Sequence, residues 1–177
     1  MNITQRVCAQ KKYFLVRRPF RRASRVYPEA SSNLMTLPEP FETLLARSPE
    51  SLRVAVVGAS NDERKFGSII LRAVASRGSV AVPVTPSSDL VHGIAAFSAL
   101  GAAANAVDFA NVVVAPARAL DALKTLPPGS QLPVWFQPGS YDDEVLAWCM
   151  HRAVPYLVGP CILVEFAARV RRGAGNA

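Results

Sequence analysis

Histidine and cysteine are scarce in this 177-residue chain, which contains two histidines and three cysteines. The cysteines Cys8, Cys149 and Cys161 are far apart, and no Cys-x-x-Cys pair is present. Zinc sites and disulfide scaffolds need several such residues at close spacing, so the sequence excludes both, and a reducing compartment fits best. No apolar run approaches the roughly 18 residues that a membrane-spanning helix needs. We therefore expect no membrane span.

Acidic residues are absent from the first 28 positions, whereas eight Lys and Arg residues precede Glu29. Residues 1–40 carry a net charge of +6, and residues 53–168 carry −1, out of +7 for the whole chain. The basic character therefore belongs to the ends of the chain. The nearly neutral central part has no electrostatic footprint for nucleic acid, so no nucleic-acid partner is expected.

A basic, acid-free N-terminus is typical of organelle-targeting peptides. We interpret residues 1–40 as a disordered targeting segment and linker, residues 41–172 as one domain and residues 173–177 as a tail. Mitochondria are the expected destination, with plastids or the cytoplasm as alternatives. A basic arm that binds RNA or an acidic membrane is the competing interpretation of the same residues.

From Arg53 onward, apolar strand patterns alternate with helix patterns, which is typical of a parallel sheet with crossover helices. This alternation predicts an α/β fold, a doubly wound Rossmann-like domain with a five-stranded, mainly parallel sheet. The predicted strands are residues 53–57, 80–84, 111–115, 133–136 and 155–158. The predicted helices are residues 41–46, 68–77, 117–126, 140–152 and 162–171, with a shorter one near 97–103.

The first strand is followed by a pattern that suits phosphate binding. Gly58 permits a sharp turn after the apolar run of residues 54–57, and a helix pattern starts at Gly67. Backbone N–H groups at a helix start attract phosphate, and Lys65 adds a full positive charge beside them. These residues predict a cradle for the phosphates of a nucleotide.

The type of nucleotide is indicated by two missing features. A dinucleotide site normally has Gly-x-Gly-x-x-Gly at this turn and an acid at the end of the second strand. Here the turn reads Gly58-Ala-Ser60, and the second strand ends in Thr85 and Pro86, with no acid before Asp89. A carboxylate there would repel a phosphorylated ribose. Coenzyme A carries such a phosphate, so the electrostatics favour coenzyme A over NAD, while NADP stays open.

The order of five short segments resembles the family of small stand-alone coenzyme A-binding domains, which is similar to the nucleotide-binding half of the succinyl-CoA synthetase alpha subunit. The resemblance spans about residues 53–168. The segments are Val54-Ala-Val-Val-Gly-Ala-Ser60, Lys65-Phe-Gly67, Val82-Pro-Val-Thr-Pro86, Val134-Trp-Phe-Gln-Pro-Gly139 and Gly159-Pro-Cys-Ile-Leu163.

The resemblance implies a binding site for coenzyme A or an acyl-CoA as a small-molecule ligand. It implies three groups of site residues: the phosphate turn, two residues that close over the diphosphate and adenine, and the ends of the second and third strands. In that order they are Gly58, Ala59, Ser60, Lys65, Phe66, Val84, Thr85, Pro86, Ala115 and Pro116. Gln137, at the end of the fourth strand, is a candidate contact for the pantetheine arm because ligands bind at that edge of open α/β sheets.

No positioned catalytic group is evident, so the expected function is non-catalytic binding. The alternatives are a fragment of an NADP-dependent oxidoreductase and a degenerate acyl-CoA ligase component. The ligase alpha subunits have a second domain with a phosphorylated histidine, for which this chain has no room.

Other polar or reactive residues have simpler interpretations. We interpret His92 and His151 as surface residues and Cys161 as a buried thiol. The acids in Asp142-Asp-Glu144 suit the first turn of a helix, with Ser140 at capping-box spacing from Asp143.

Overall fold

A computed structural model describes residues 37–174 of the chain, with side chains assigned through Ala168. The predicted targeting segment therefore lies almost entirely outside the described residues. Five strands form the main sheet, and two shorter strands form a hairpin. The main strands are Arg53–Val57 (β1), Val80–Val84 (β2), Phe109–Val112 (β5), Val134–Phe136 (β6) and Tyr156–Leu157 (β7), and the hairpin strands are Leu90–Val91 (β3) and Ile94–Ala95 (β4).

The helices alternate with the strands along the chain, as the sequence pattern predicts. They are Phe41–Ala46 (α1), Phe66–Ser76 (α2), Leu100–Ala103 (α3), Pro116–Lys124 (α4), Asp143–His151 (α5) and Ile162–Ala174 (α6), with 3-10 turns at Pro49–Ser51 and Ala104–Ala106. None of the helices within residues 37–174 is both long enough and apolar enough to cross a membrane.

The main sheet has the order β2-β1-β5-β6-β7, and all its neighbouring strands run parallel. The chain moves outward from β1 to β2, then crosses back to place β5 on the other side of β1. This reversal is a topological switch point, and ligands of open α/β sheets bind at the carboxyl ends of the strands beside it. The predicted Rossmann-like α/β fold is confirmed.

Two apolar cores lie on opposite faces of the sheet. One buries residues of α1, α2 and α6 together with Trp135, and the other buries residues of α3, α4 and α5 together with Phe136. In β1 the last four residues are all buried, because helices cover both faces of the strand. Leu37, just before the predicted start of the domain, is only 2% exposed and belongs to the first core.

The third strand of the sheet departs from its prediction. It spans Phe109–Val112 rather than residues 111–115, and it ends at Val112 because β1 ends at Val57 and turns away at Gly58. The Val113 N–H still donates to the Val57 oxygen at 3.1 Å, but beyond it the chain has no strand on that side to pair with. Residues 113–115 therefore form a loop at the carboxyl edge of the sheet.

Helix α5 starts three residues later than predicted. The Asp142 carboxylate accepts a hydrogen bond from the Val145 N–H at 3.0 Å and caps the helix. Asp143 and Glu144 follow in the first turn, where acids complement the helix dipole. The capping explanation of the acids is thus confirmed, but the cap is Asp142 and not Ser140. The chain turns at Gly139, where φ is 86°, and the helix begins only after this turn.

Cys149 of α5 is fully buried in the second core, and desolvation raises the pKa of its thiol to about 12. A raised pKa in the folded state means that folding favours the protonated thiol. The contribution of Cys149 to the free energy of unfolding is therefore constant below the unfolded-state pKa near 9.0 and falls as pH rises above it. We expect the urea midpoint to fall more steeply between pH 9 and 11 in the wild type than in Cys149→Ala. If the urea midpoint fell equally steeply with pH in the two proteins, this expectation would be contradicted.

Candidate functional site

A cavity of about 940 Å³ lies at the carboxyl ends of β1, β2 and β5, at the switch point of the sheet. One wall is the turn after β1 and the start of α2. The end of β2 forms the second wall, and the start of α3 with one side of α4 forms the third. A smaller cavity of about 400 Å³ lies at the opposite edge, where β5 and β6 begin.

The turn after β1 holds its shape through backbone contacts. Gly58 has a φ of 95°, which favours glycine, and its N–H donates to the Val84 oxygen at 2.9 Å. The Ser60 hydroxyl accepts the Asp62 N–H at 3.1 Å. Among residues 37–174, the backbone N–H groups of Ser60 and Gly67 have no hydrogen-bond acceptor. They are therefore available to an anionic ligand in the cavity.

Gly67 brings α2 against this turn. A Cβ atom at position 67 would lie 1.8 Å from the Gly58 carbonyl oxygen, so only glycine fits. This is the task of the last glycine in the dinucleotide fingerprint, which allows close packing of helix and strand. In the sequence Gly67 is only the start of a helix pattern. The structure shows that it also sets the distance between the helix start and the phosphate turn.

The two cations beside the turn differ in whether they already have an ion-pair partner. Arg64 donates two hydrogen bonds to the Asp62 carboxylate, at 3.0 and 3.1 Å, and these hold the pKa of Asp62 below its ordinary value. Lys65 precedes the first residue of α2 and is exposed. Its ammonium group has neither an ion pair nor a hydrogen bond within the described part of the chain. Lys65 is thus the cation at the turn that a phosphate can reach without displacing a partner.

The end of β2 contributes hydroxyl groups to the cavity. Thr85 is buried, its N–H donates to the Phe97 oxygen at 2.9 Å, and its hydroxyl lies 2.8 Å from that of Ser87. No acid of this strand end lines the cavity. The proline within β2, Pro83, uses its carbonyl to accept the Phe97 N–H at the sheet's edge, where its missing N–H costs nothing.

The third wall was not anticipated from the sequence. It includes Arg118 and Asp121 on one side of α4, and Thr125, which directly follows the helix. Gly101 of α3 packs against the end of α4, and its N–H donates to the Thr125 hydroxyl at 2.8 Å. The periodicity of α4 could have identified this polar side, because Ala119, Leu120 and Leu123 form the buried one.

Nine of the eleven predicted site residues line the cavity. They are Gly58, Ala59, Ser60, Lys65, Phe66, Val84, Thr85, Pro86 and Ala115. Pro116 and Gln137 are not among the lining residues. Pro116 is the first residue of α4.

Gln137 lies at the carboxyl end of β6, as predicted, but its contacts differ from the expected ones. It is 5% exposed, and its Oε1 accepts the Ile162 N–H at 3.2 Å at the start of α6. Its Nε2 has no hydrogen-bond partner among the described residues. Gln137 is not among the residues that line the cavity, and its contact with the pantetheine arm stays a prediction.

The hairpin of β3 and β4 is hydrogen-bonded to the loop that follows the phosphate turn. The Asn61 side chain accepts the His92 N–H at 2.8 Å and donates to the Leu90 oxygen at 2.9 Å. The His92 Nε2 lies 2.7 Å from the Ser68 hydroxyl. That distance suits a nucleophile and its base, but Ser68 is fully buried and cannot reach a substrate. His92 is exposed, as predicted, and has a structural partner that the sequence did not reveal.

Cys161 is 4% exposed, in agreement with the predicted burial, and its carbonyl accepts N–H groups of the first turn of α6. No group of three or more His, Cys, Asp or Glu residues within the described chain is arranged to hold a metal ion.

The main sheet is all parallel, helices cover both of its faces, and a cavity lies at its switch point. These features define a Rossmann-like α/β domain with a cleft at the carboxyl edge of the sheet. The family model of the CoA binding domain matches residues 52–167. The chain therefore belongs to the CoA binding domain family.

Solved structures with the same fold come from several microorganisms. A conserved hypothetical protein from Pyrococcus furiosus is 32% identical, with a TM-score of 0.61 over 64% of this chain and 98% of that one. A hypothetical protein from Pyrococcus horikoshii OT3 is 19% identical, with a TM-score of 0.64 over 77% and 92% of the two chains. A protein from Thermus thermophilus is 24% identical, with a TM-score of 0.58 over 72% and 96%. No curated protein matches the chain.

Proposed function

We propose that this protein binds coenzyme A or an acyl-CoA in the cavity at the switch point, and that it does so without catalysing a reaction. The observation that carries the proposal is the combination of unpaired N–H groups, the unpaired Lys65 and an acid-free end of β2 in one cavity. Membership of the CoA binding domain family supports the same ligand.

The residues present suit the parts of coenzyme A. The N–H groups of Ser60 and Gly67, together with Lys65, are donors for the diphosphate. Val84, Leu100 and Val114 are apolar lining residues that suit the adenine ring. The hydroxyls of Thr85 and Ser87 tolerate a phosphorylated ribose, which a carboxylate would repel.

The proposal of a non-catalytic role rests on the surroundings of the reactive side chains. Of the two histidines, His92 is held by a buried serine, and His151 is exposed in the last turn of α5. Neither is placed at the phosphate turn as a general acid or base. We expect no turnover when the full-length protein is incubated with acyl-CoA thioesters or NADPH. Turnover that disappears in Ser60→Ala would overturn this part of the proposal.

The ligand is tested by calorimetric titration of the full-length protein with coenzyme A, acetyl-CoA, NAD and NADP. We expect coenzyme A or acetyl-CoA to bind more tightly than NAD, because the end of β2 has no acid to hold a ribose 2′-hydroxyl. Equal affinity for NAD would contradict the proposal, and NADP as the tightest ligand would favour the oxidoreductase alternative.

Replacing Lys65 with alanine is expected to weaken coenzyme A binding by about 1.5–3 kcal/mol, or roughly 10- to 150-fold, because a charged hydrogen bond to phosphate is lost. Lys65 is exposed and has no ion pair with any described residue, so the folded protein should keep its thermal midpoint. Lys124→Ala is the matched control, since Lys124 is exposed and does not line the cavity. An unchanged dissociation constant in Lys65→Ala would exclude the assigned role.

We further propose that residues 1–40 direct import into mitochondria, because eight basic residues precede the first acid. A fluorescent reporter fused to residues 1–40 should be imported into mitochondria. Diffuse cytosolic or nuclear fluorescence, with the full-length chain intact by mass spectrometry, would reject targeting and favour a binding arm.

A further inference from the structure

Arg118 is a cation of the cavity to which the proposed function gives no role. Among the described residues, the cations that line the cavity are Arg64, Lys65 and Arg118. Arg64 is already paired with both oxygens of Asp62, and Lys65 stands at the phosphate turn. Arg118 comes from a different element, the first turn of α4, and has no hydrogen bond or ion pair to any described residue.

The stability of α4 does not account for Arg118. A cation in the first turn of a helix opposes the helix dipole, and this turn contains no acid to offset it. Asp121 lies one turn further along the same side, but the two side chains form no ion pair. Arg118 is also exposed, so packing does not require it. An anion bound in the cavity would give this side chain a partner.

A ribose phosphate suits this position better than a second contact to the diphosphate. The unpaired N–H groups and Lys65 already provide donors for the diphosphate on the wall formed by the turn and α2. The end of β2 offers the Thr85 and Ser87 hydroxyls, which can donate hydrogen bonds but bring no charge. On the wall formed by α4, Arg118 is the cation available to a second, separate phosphate.

We propose that Arg118 makes the site selective for nucleotides that carry a phosphate on the ribose, by forming an ion pair with that phosphate. This rests on the proposed function, since coenzyme A carries both a diphosphate and a ribose phosphate, as NADP also does. Arginine suits the task, because its guanidinium group presents two parallel donors to phosphate oxygens.

The test compares coenzyme A with dephospho-coenzyme A, which lacks only the ribose phosphate, in calorimetric titrations of the full-length protein. The wild type should prefer coenzyme A by about 10-fold or more, which is the scale of one charged contact to phosphate. Arg118→Ala should lose that preference by weakening the binding of coenzyme A alone. Arg118→Lys should keep part of the preference, and Lys124→Ala, on the same helix but outside the cavity, should keep all of it.

The outcomes separate this inference from the function on which it rests. If Arg118→Ala weakens the binding of both ligands equally, or of neither, Arg118 does not bind the ribose phosphate. The inference is then wrong, while the proposal of coenzyme A binding stands. If the wild type binds neither ligand, the proposed function itself fails. An unchanged thermal midpoint in Arg118→Ala would show that the loss of preference arises at the site and not from unfolding.

Discussion

Gly67→Ala is expected to lose about 3 kcal/mol or more of its free energy of unfolding, because the added methyl group overlaps backbone that cannot move aside cheaply. The Cβ atom would lie 1.8 Å from the Gly58 carbonyl oxygen and 2.8 Å from its carbon. Helix α2 must shift away from the turn to relieve this overlap. That shift would separate the N–H groups of Ser60 and Gly67, so protein that remains folded should also bind coenzyme A less tightly. Urea unfolding followed by circular dichroism measures the first effect, and calorimetry measures the second.

Gly78→Ala is the control for the general cost of losing a glycine. Gly78 lies two residues after the last residue of α2, has a φ of 85° and has nothing within 4 Å of an added Cβ atom. Its replacement should cost only about 1–2 kcal/mol, from the left-handed backbone alone, and should leave coenzyme A binding unchanged. If Gly67→Ala were no less stable than Gly78→Ala, the close contact between α2 and the phosphate turn would not limit the fold.

Trp135→Ala is expected to lose about 3–5 kcal/mol of its free energy of unfolding, the usual range for removing a fully buried aromatic side chain. Trp135 is 0% exposed and packs edge to face against Phe41, with ring centroids 5.8 Å apart. Its indole N–H donates to the Pro160 oxygen at 3.0 Å, which ties β6 to the start of α6. The truncation leaves both a cavity and a carbonyl group that has lost this donor. A urea midpoint measured by circular dichroism reports the loss.

Trp148→Ala is the matched comparison, because Trp148 is the other tryptophan and is only partly buried in α5, with the Arg152 guanidinium 5.3 Å from its ring centroid. It should lose clearly less stability than Trp135→Ala. Trp135→Phe should fall between the wild type and Trp135→Ala, since it keeps most of the apolar contact but not the hydrogen bond. Equal losses at the two tryptophans would contradict the placement of Trp135 at the centre of the first core.

The parts of the fold that the sequence predicted well are those with local signals. β1 and β2 were predicted to the residue, because each is an apolar, β-branched run that a turn-forming residue ends. The end of β5 was misplaced because it depends on where β1 turns away, and that is a tertiary contact. The hairpin of β3 and β4 is absent from the predicted strands, since strands of two residues carry almost no periodicity.

The candidate site likewise contains residues that local patterns predict and residues that depend on tertiary contacts. The residues near the turn and the end of β2 could be predicted, because parallel strands bring their carboxyl ends to one edge. Arg118 was missed although the periodicity of α4 separates its polar side from its apolar one, because that pattern alone does not show that the polar side faces the cavity. Gln137 was predicted at the correct edge, but its partner at the start of α6 comes from a segment 25 residues away in the sequence. Local patterns thus locate a site, whereas tertiary contacts decide which side chains enter it.

The most direct test of the central claim is a map of backbone amide chemical shifts during titration of the labelled protein with coenzyme A. We predict that the largest changes fall at Gly58, Ser60 and Gly67, with further changes in the loop of residues 113–115. Residues 104–108 and 129–132, around the cavity at the opposite edge of the sheet, should not respond. Changes centred on those residues, or no saturable change at the phosphate turn, would contradict the claim that coenzyme A binds at the switch point.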